Sequence, residues 1–137
     1  MVRPLVAVVD QSEALLRLAG IVLTHEGYRT FLTSASSDIK ERVAQKRPDI
    51  VILDTWLESR ESGWNLLQGL LVDERTADTP IILCSSDPQL VASRTSTLDP
   101  ARSAVVIKPF DPEDLVLKAR ALLNHRSKTH LSRENER

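Results

Sequence analysis

Four reactive side chains in this sequence each close a short run of apolar residues. Two are carboxylates, one is a hydroxyl and one is an amine; in chain order they are Asp10, Asp54, Ser85 and Lys108. The runs before them have the length and composition of strands buried on both faces of a parallel sheet. Open α/β sheets bind ligands at the carboxyl ends of their strands, so the four side chains should gather at one edge. Two carboxylates, a hydroxyl and an ammonium at one place would suit a cation together with a phosphoryl group.

The strands that must position these side chains alternate with helices along the chain. The strongest candidates are Leu5–Val9, Ile50–Leu53, Ile81–Cys84 and Ala104–Ile107, and a weaker, mixed strand over 29–33 suits a sheet edge. Strict β-α alternation predicts a parallel sheet with right-handed crossovers. The sequence therefore predicts an α/β fold, a doubly wound parallel sheet of five strands with five helices.

The first helix has clear start and stop signals. Ser12 or Asp10 can cap it, and it should run to about His25, with Gly27 just past its end. Its inward face is expected to carry Leu15, Leu18, Ala19 and Val22.

The other helices follow from similar signals. Ser36 or Ser37 is expected to open the second helix, and the third is predicted from Trp64 to Glu74. The pairs Asp87-Pro88 and Asp111-Pro112 each place a capping residue before a proline, which predicts the starts of the fourth and fifth helices.

Composition sets the broad class of the protein. The chain has 137 residues, 42% of them apolar and 27% charged, with a net charge of −1 and one cysteine, Cys84. These values predict one globular domain. The polar run that begins at Arg126 sets its bounds at residues 1–125, followed by a polar C-terminal tail over 126–137. Balanced charge and the lack of an apolar stretch of about 20 residues argue against nucleic-acid and membrane partners. No internal disulfide can form, so a cytoplasmic location is expected.

The same residues give the chain a family resemblance from about Pro4 to Asn124. In order, the matching pieces are Val-Val-Asp10, Pro48-Asp-Ile-Val-Ile-Leu-Asp54, Gly63, Pro80-Ile-Ile-Leu-Cys-Ser85-Ser86 and Lys108-Pro-Phe110. With these pieces the chain resembles the receiver domain of two-component response regulators. The resemblance implies the flavodoxin-like strand order 2-1-3-4-5.

The resemblance also implies roles for particular residues. Asp54 would accept a phosphoryl group from a histidine kinase or phosphotransfer protein. Asp10, Asp54 and the main-chain carbonyl of Trp56 would hold Mg²⁺. Ser85 and Lys108 would bind the phosphoryl oxygens. Family members usually have a cis bond at the position of Lys108-Pro109. Beyond this self-phosphorylation and its reversal, no enzyme activity is expected.

Four departures from the family pattern mark this chain as atypical. Gln11 stands where the family has a second acid, so Mg²⁺ binding should be weaker; Glu58 or Glu13 could restore the charge. Glu58 also replaces the usual proline of the acceptor loop, and Gly63 falls one residue late. Val105 stands at the place of the family's switch aromatic, so the usual swing of a Tyr or Phe is not available. The chain begins with methionine, which favours an authentic start. No output domain follows, which fits either a stand-alone receiver or a piece of a longer chain.

Other interpretations of these residues stay open at this stage. Asp54 and Asp10 could cap helices, Ser85 could be a turn residue, and Lys108 a solvated lysine. Trp56 and Trp64 are expected to be packing or loop residues.

At the level of function, the alternative is a pseudo-receiver, a phosphorylation-independent interaction or dimerisation module. An aspartate-nucleophile phosphatase fits poorly, because Asp54 is followed by Thr-Trp. The face formed by the fourth helix, fifth strand and fifth helix could bind a downstream protein or form a homodimer.

Overall fold

The computed structural model describes residues 2–56, 62–96 and 98–135, with side chains described as far as residue 126. Ten elements alternate along the chain. They are β1 (Leu5–Val9), α1 (Glu13–His25), β2 (Arg29–Thr33), α2 (Ile39–Lys46), β3 (Ile50–Asp54), α3 (Ser62–Val72), β4 (Ile81–Ser85), α4 (Pro88–Arg94), β5 (Ser103–Ile107) and α5 (Pro112–Asn135).

The five strands form one parallel sheet in the order β2-β1-β3-β4-β5. Alternate residues of the central strands face opposite sides, so Ala7 and Val9 pack towards α2 and α3 while Val6 and Val8 pack towards α1 and α5. The sheet therefore has an apolar core on each face, as doubly wound folds require. The predicted fold class and strand order are confirmed.

The two edge strands are less buried than the central three. β2 lies at one edge, as its mixed sequence predicted. For β5 the expectation of burial on both faces was wrong, because Val106 alone is fully buried and Ile107 is exposed. An edge strand has a neighbour on one side only, which leaves part of its surface open.

Helix α1 begins and ends close to the predicted residues. The Ser12 hydroxyl caps it by accepting a hydrogen bond from Leu15 N–H, and Gly27 follows its end at φ +92°. Its buried residues are Ala19 and Leu23. The prediction that Leu18 faces the core was wrong, since its side chain is 43% exposed.

Two helix starts also differ from the prediction. Helix α2 begins at Ile39 after Asp38, because the Ser36 hydroxyl donates to the Asp38 carboxylate at 2.7 Å and closes a separate turn. Helix α3 covers Ser62–Val72 and so lies two residues earlier than predicted. The capped start of α4 at Asp87-Pro88 is confirmed.

Helix α5 continues through Asn135, well past the proposed boundary at residue 125. Leu115, Ala119 and Leu122, which were predicted to face the core, are buried, and Val116 is buried as well. The division into a domain and a tail stays a prediction. Within the described residues, no helix is long and apolar enough to cross a membrane.

Candidate functional site

The four reactive side chains meet at the carboxyl edge of the sheet, as predicted from their positions after apolar runs. Asp10 directly follows β1, Asp54 and Ser85 end β3 and β4, and Lys108 directly follows β5. Parallel pairing aligns these ends, since Asp54 lies beside Cys84 and Ser85 beside Ile107. Residues up to 98 positions apart in the chain are thereby brought within hydrogen-bond distance.

Lys108 bridges the two carboxylates. Its Nζ lies 3.0 Å from Asp10 Oδ2 and 3.2 Å from Asp54 Oδ2. Asp10 is 2% exposed and Asp54 is 7% exposed, so the ammonium is the charge that offsets two nearly buried anions. A charged group that is removed from water is costly unless it is paired with an opposite charge. The two carboxylates therefore depend on Lys108 for their charge compensation.

The second oxygen of each carboxylate is held by the main chain. Ser12 N–H donates to Asp10 Oδ1 at 2.8 Å, and Trp56 N–H donates to Asp54 Oδ1 at 3.1 Å. In both cases the donor lies two residues after the acid, in the manner of an Asx turn. Both side chains are therefore fixed in orientation before any ligand arrives.

Burial and charge shift the protonation of the site. Burial raises the pKa of Asp54, and the nearby Asp10 carboxylate raises it further, against the lowering effects of Trp56 N–H and Lys108. Burial alone would lower the pKa of Lys108, but its hydrogen bonds and charge interactions with Asp10 and Asp54 outweigh this and raise it. The lysine therefore stays cationic at neutral pH, where it can act as a point charge.

Ser85 lies at the wall of a groove beside the end of β3. Its hydroxyl accepts a hydrogen bond from Asp87 N–H at 3.0 Å, and its main-chain oxygen accepts one from Lys108 N–H at 2.8 Å. The groove has a volume of about 420 Å³ and is lined by residues 55–56 and 85–90. The main-chain hydrogen bond from Lys108 N–H to the Ser85 carbonyl holds the ends of β4 and β5 together.

The groove includes one feature that the sequence did not suggest. Asp87 was expected only to cap α4, which it does by accepting from Leu90 N–H at 3.0 Å. Asp87, two residues after Ser85, also lines the groove. Its main-chain N–H donates a hydrogen bond to the Ser85 hydroxyl. The spacing Ser-x-Asp, typical of side-chain-to-backbone turns, is the signal that could have indicated this.

Of the loop between β3 and α3, the structure describes residues 55–56, and the helix that follows packs directly against the end of β3. Trp56 is 58% exposed beside the site, whereas Trp64 is buried in the core. A β-carbon on Gly63 would collide with the main-chain oxygens of Asp54 and Thr55, so α3 begins in contact with the end of β3. Glu58, suggested as a replacement charge, lies outside the described residues.

The donors at this edge fit a divalent cation, although with few charges. Oxygens of Asp10 and Asp54 converge on one ammonium, which shows that a cation can be held between them. Gln11 is exposed and adds no charge, and the described residues contain no cluster of three or more acidic, histidine or cysteine side chains. Two carboxylates suit Mg²⁺, which takes oxygen ligands and keeps several waters.

The predicted cis bond between Lys108 and Pro109 is present. Cys84 is buried as predicted, and burial raises the pKa of its thiol to about 12. Val105 is half-buried in β5 and packs against the core on the side of α3 and α4. The aliphatic side chain thus occupies the position where the family resemblance implied an aromatic residue.

Comparisons with known proteins agree with this architecture. The family model described as response regulator receiver domain matches residues 6–120. The DNA-binding dual master transcriptional regulator RpaA of Synechocystis sp. is 31% identical over 88% of this chain and 49% of its own length. The phosphate regulon transcriptional regulatory protein PhoB of Pseudomonas aeruginosa is 26% identical over 90% of this chain and 53% of its own length.

Solved structures show the same fold. A CheY-like receiver domain protein from Methanospirillum hungatei JF-1 superimposes with a TM-score of 0.78 at 22% identity, covering 93% of this chain and 99% of that protein. Chemotaxis response regulator CheY4 of Vibrio cholerae gives a TM-score of 0.76 at 17% identity, covering 88% and 99%.

The comparisons bear on one expectation drawn from charge. This chain spans about half the length of the curated relatives it matches, and several of them are named as DNA-binding regulators. The expectation that nucleic acid is not a partner therefore has no support from the relatives.

Proposed function

Because the chain belongs to the response regulator receiver domain family, we propose that Asp54 accepts a phosphoryl group from the phosphohistidine of a histidine kinase or phosphotransfer protein. The observation that carries this proposal is the bridge from Lys108 Nζ to the buried carboxylates of Asp10 and Asp54. The transferred group would arrive at a carboxylate already fixed in orientation and lying beside a cation. The domain would then act as a signalling switch.

The proposed reaction is a displacement at phosphorus. A carboxylate oxygen of Asp54 bonds to the phosphorus, the phosphorus–nitrogen bond to histidine breaks, and the imidazole leaves with that electron pair. Phosphoryl transfer passes through a loose transition state, so positioning and charge neutralisation provide most of the catalysis. Lys108 supplies positive charge to the phosphoryl oxygens. The Ser85 hydroxyl accepts from Asp87 N–H and can donate its own hydrogen bond to one of these oxygens.

Asp10, Asp54 and the main-chain carbonyl of Trp56 are the groups we propose to hold Mg²⁺. When bound, the ion would neutralise charge that develops on the transferring group. Gln11 provides a neutral amide where the family has a second acid, so we propose that Mg²⁺ binds more weakly here than in a two-acid site.

The pseudo-receiver alternative is not favoured by the comparisons, since the relatives are response regulators. We propose no enzyme activity beyond phosphorylation of Asp54 and its hydrolysis. The partners we propose are a phosphodonor protein and a downstream protein. A cytoplasmic location completes the proposal, and the single buried Cys84 suits a reducing compartment.

The test is the mass of the intact protein after incubation with acetyl phosphate and Mg²⁺. We expect one added phosphoryl group that is absent without Mg²⁺ and absent in Asp54→Asn. Asp99→Asn is the matched control, because it removes a carboxylate from the loop before β5 and should leave the adduct unchanged.

The substitution Gln11→Asp distinguishes a phosphorylated receiver from a pseudo-receiver. An adduct in Gln11→Asp but not in the natural sequence would assign the protein to the pseudo-receivers, with a site disabled by one residue. No adduct in either protein would contradict the proposed role of Asp54.

A further inference from the structure

The β2 edge of the sheet carries an excess of positive charge. Residues 29–47, which span β2 and α2, hold five lysines and arginines and two acids, in a chain whose net charge is −1. The Asp38 carboxylate accepts a hydrogen bond from the Ser36 hydroxyl at 2.7 Å, and the Glu41 carboxylate accepts two from Arg75 at 2.7 and 2.8 Å. Both acids are thus engaged by other groups, and the positive charge at this edge stays in excess.

Two of these cations, Arg42 and Lys46, share one aromatic ring. The guanidinium carbon of Arg42 lies 5.6 Å from the centroid of the Phe31 ring, and Lys46 Nζ lies 5.2 Å from it. The two cations are four residues apart in α2, so they are neighbours on the helix surface and repel each other. In the part of the chain whose side chains are described, neither has an ion pair, whereas Lys40 of the same helix pairs with Asp73 at 3.5 Å. An anion bound between Arg42 and Lys46 would offset their repulsion.

Arg42 is held in place by β2 and keeps donors for a ligand. Its Nη1 donates to the hydroxyl of the buried Thr33 at 3.3 Å. The pKa of Asp38 is lowered mainly by the Ser36 hydroxyl and least by the charge of Arg42, so this acid does not neutralise the guanidinium. A guanidinium has five N–H donors, and the bond to Thr33 uses one of them.

A cavity of about 410 Å³ opens at these side chains. It is lined by Phe31, Arg42, Gln45 and Lys46, so the described residues contribute two cations and no acid to it. Arginine presents a planar fork of donors and lysine a point charge, and both suit an oxyanion. A phosphate monoester carries a charge of about −1.5 to −2 at pH 7 and three acceptor oxygens, which matches two cations better than a single carboxylate does.

We propose that this cavity between β2 and α2 binds the phosphate group of a small molecule, with Arg42 and Lys46 as its two cationic contacts. The site shares no residue with the cluster around Asp54, and binding there involves no transfer of the phosphate. The free phosphate ion and a phosphate ester present the same dianionic group, so either can supply it.

The first test follows the backbone amide signals of the full 137-residue chain by NMR during titration with inorganic phosphate and, separately, with phenyl phosphate. The buffer contains no Mg²⁺, and sodium chloride keeps the ionic strength constant. We expect saturable shifts at Phe31, Arg42, Gln45 and Lys46, whereas sodium chloride alone should give none. Tighter binding of phenyl phosphate would identify an ester as the ligand, and equal or tighter binding of inorganic phosphate would identify the free ion.

The second test removes the charges one at a time. Arg42→Gln and Lys46→Gln should each raise the dissociation constant for phosphate at least about fivefold, because each removes one of the two charges close to the anion. Lys46→Arg keeps the charge and should stay within about twofold of the natural sequence. Arg17→Gln is the matched control and should change nothing, because Arg17 is an exposed arginine of α1, which packs on the opposite face of the sheet from α2. The amide spectra also show that each variant is folded.

Three results would overturn the proposal. The first is the lack of a saturable shift at the residues that line the cavity. The second is an equal loss of affinity in Arg17→Gln, since the anion would then respond only to net charge. The third is a loss in Lys46→Arg as large as in Lys46→Gln, which would show that Lys46 matters for its packing on Phe31 and not for its charge.

Discussion

Gly63 packs so closely on Asp54 that a β-carbon at residue 63 would overlap the main-chain oxygen of the acid. The first turn of α3 thus contacts the strand end that carries the Asp54 carboxylate. Gly63→Ala should lower the free energy of unfolding by about 1–3 kcal/mol, because backbone atoms cannot rotate away from the new methyl group. Urea denaturation measures the change.

Gly69→Ala is the matched control for this prediction. It lies in the same helix, and its β-carbon would meet only the flexible side chain of Lys40, at 3.1 Å. Replacing a helical glycine should stabilise the protein by up to about 1 kcal/mol. Equal effects of the two substitutions would show that the contact with Asp54 has no special cost.

Lys108→Met should destabilise the protein because it leaves two neighbouring buried carboxylates without their cation. Removing one partner of a buried ion pair costs about 3 kcal/mol. Lys118→Met breaks an exposed pair with Asp114 and should cost about 0.5 kcal/mol. The same denaturation experiment measures both. If the two variants lose similar stability, the bridge contributes no more than a surface ion pair.

Gln11→Asp should strengthen Mg²⁺ binding at least about tenfold, since a carboxylate close to the cation adds Coulombic attraction that an amide lacks. Titration of Mg²⁺ against the fluorescence of Trp56, which lies exposed beside the site, reports the affinity. Trp56→Phe identifies the signal, because it leaves Trp64 as the remaining tryptophan. Gln68→Asp on the exposed side of α3 adds the same charge away from the site and should change little. A similar gain from both aspartates would mean that Gln11 is not near the ion.

A second prediction about charge concerns pH and the cluster around Arg75. The guanidinium of Arg75 donates hydrogen bonds to the carboxylates of Asp73 and Glu41. These bonds lower the pKa values of both acids below their usual range. In the unfolded chain these acids protonate near pH 4, so between the folded and unfolded pKa values the unfolded state binds more protons. The stability they contribute is therefore complete above about pH 5 and is lost as pH falls through 4 and below.

The substitution Arg75→Gln tests the predicted direction of this pH dependence. Its cost in unfolding free energy should be largest at neutral pH and should shrink as the pH falls below about 4. In a protein that already carries Glu41→Gln and Asp73→Asn, the same substitution should cost equally at every pH. A cost of Arg75→Gln that does not depend on pH in the natural background would contradict the prediction.

The strands and the gathering of the site could be predicted because they depend on local runs of residues. Asp10, Asp54 and Lys108 each end an apolar run, and parallel pairing brings such ends together wherever they fall in the chain. The bridge itself could not be predicted, since apolar periodicity gives no distance between side chains from different strands. The contact of Gly63 with Asp54 also depends on how α3 approaches the sheet.

The errors have similar physical origins. Leu18 and Leu23 both fit a helical apolar pattern, and only packing against the sheet decides which of them is buried. Ser36 can cap a helix, but its hydroxyl binds the Asp38 carboxylate instead, so α2 begins later. Part of β5 is exposed because it is an edge strand that pairs with β4 on one side.

Helix α5 begins four residues after Lys108 and remains helical for 24 residues, which corresponds to a rod about 36 Å long. Leu115, Ala119 and Leu122 hold the first half of this rod in the core. A change of about 5° in the direction of α5 beyond Leu122 would displace the backbone of Asn135 by about 2 Å, because about 20 Å of helix separates the two residues. A change of direction where α5 leaves the core would therefore produce its largest displacement at the far end of the helix.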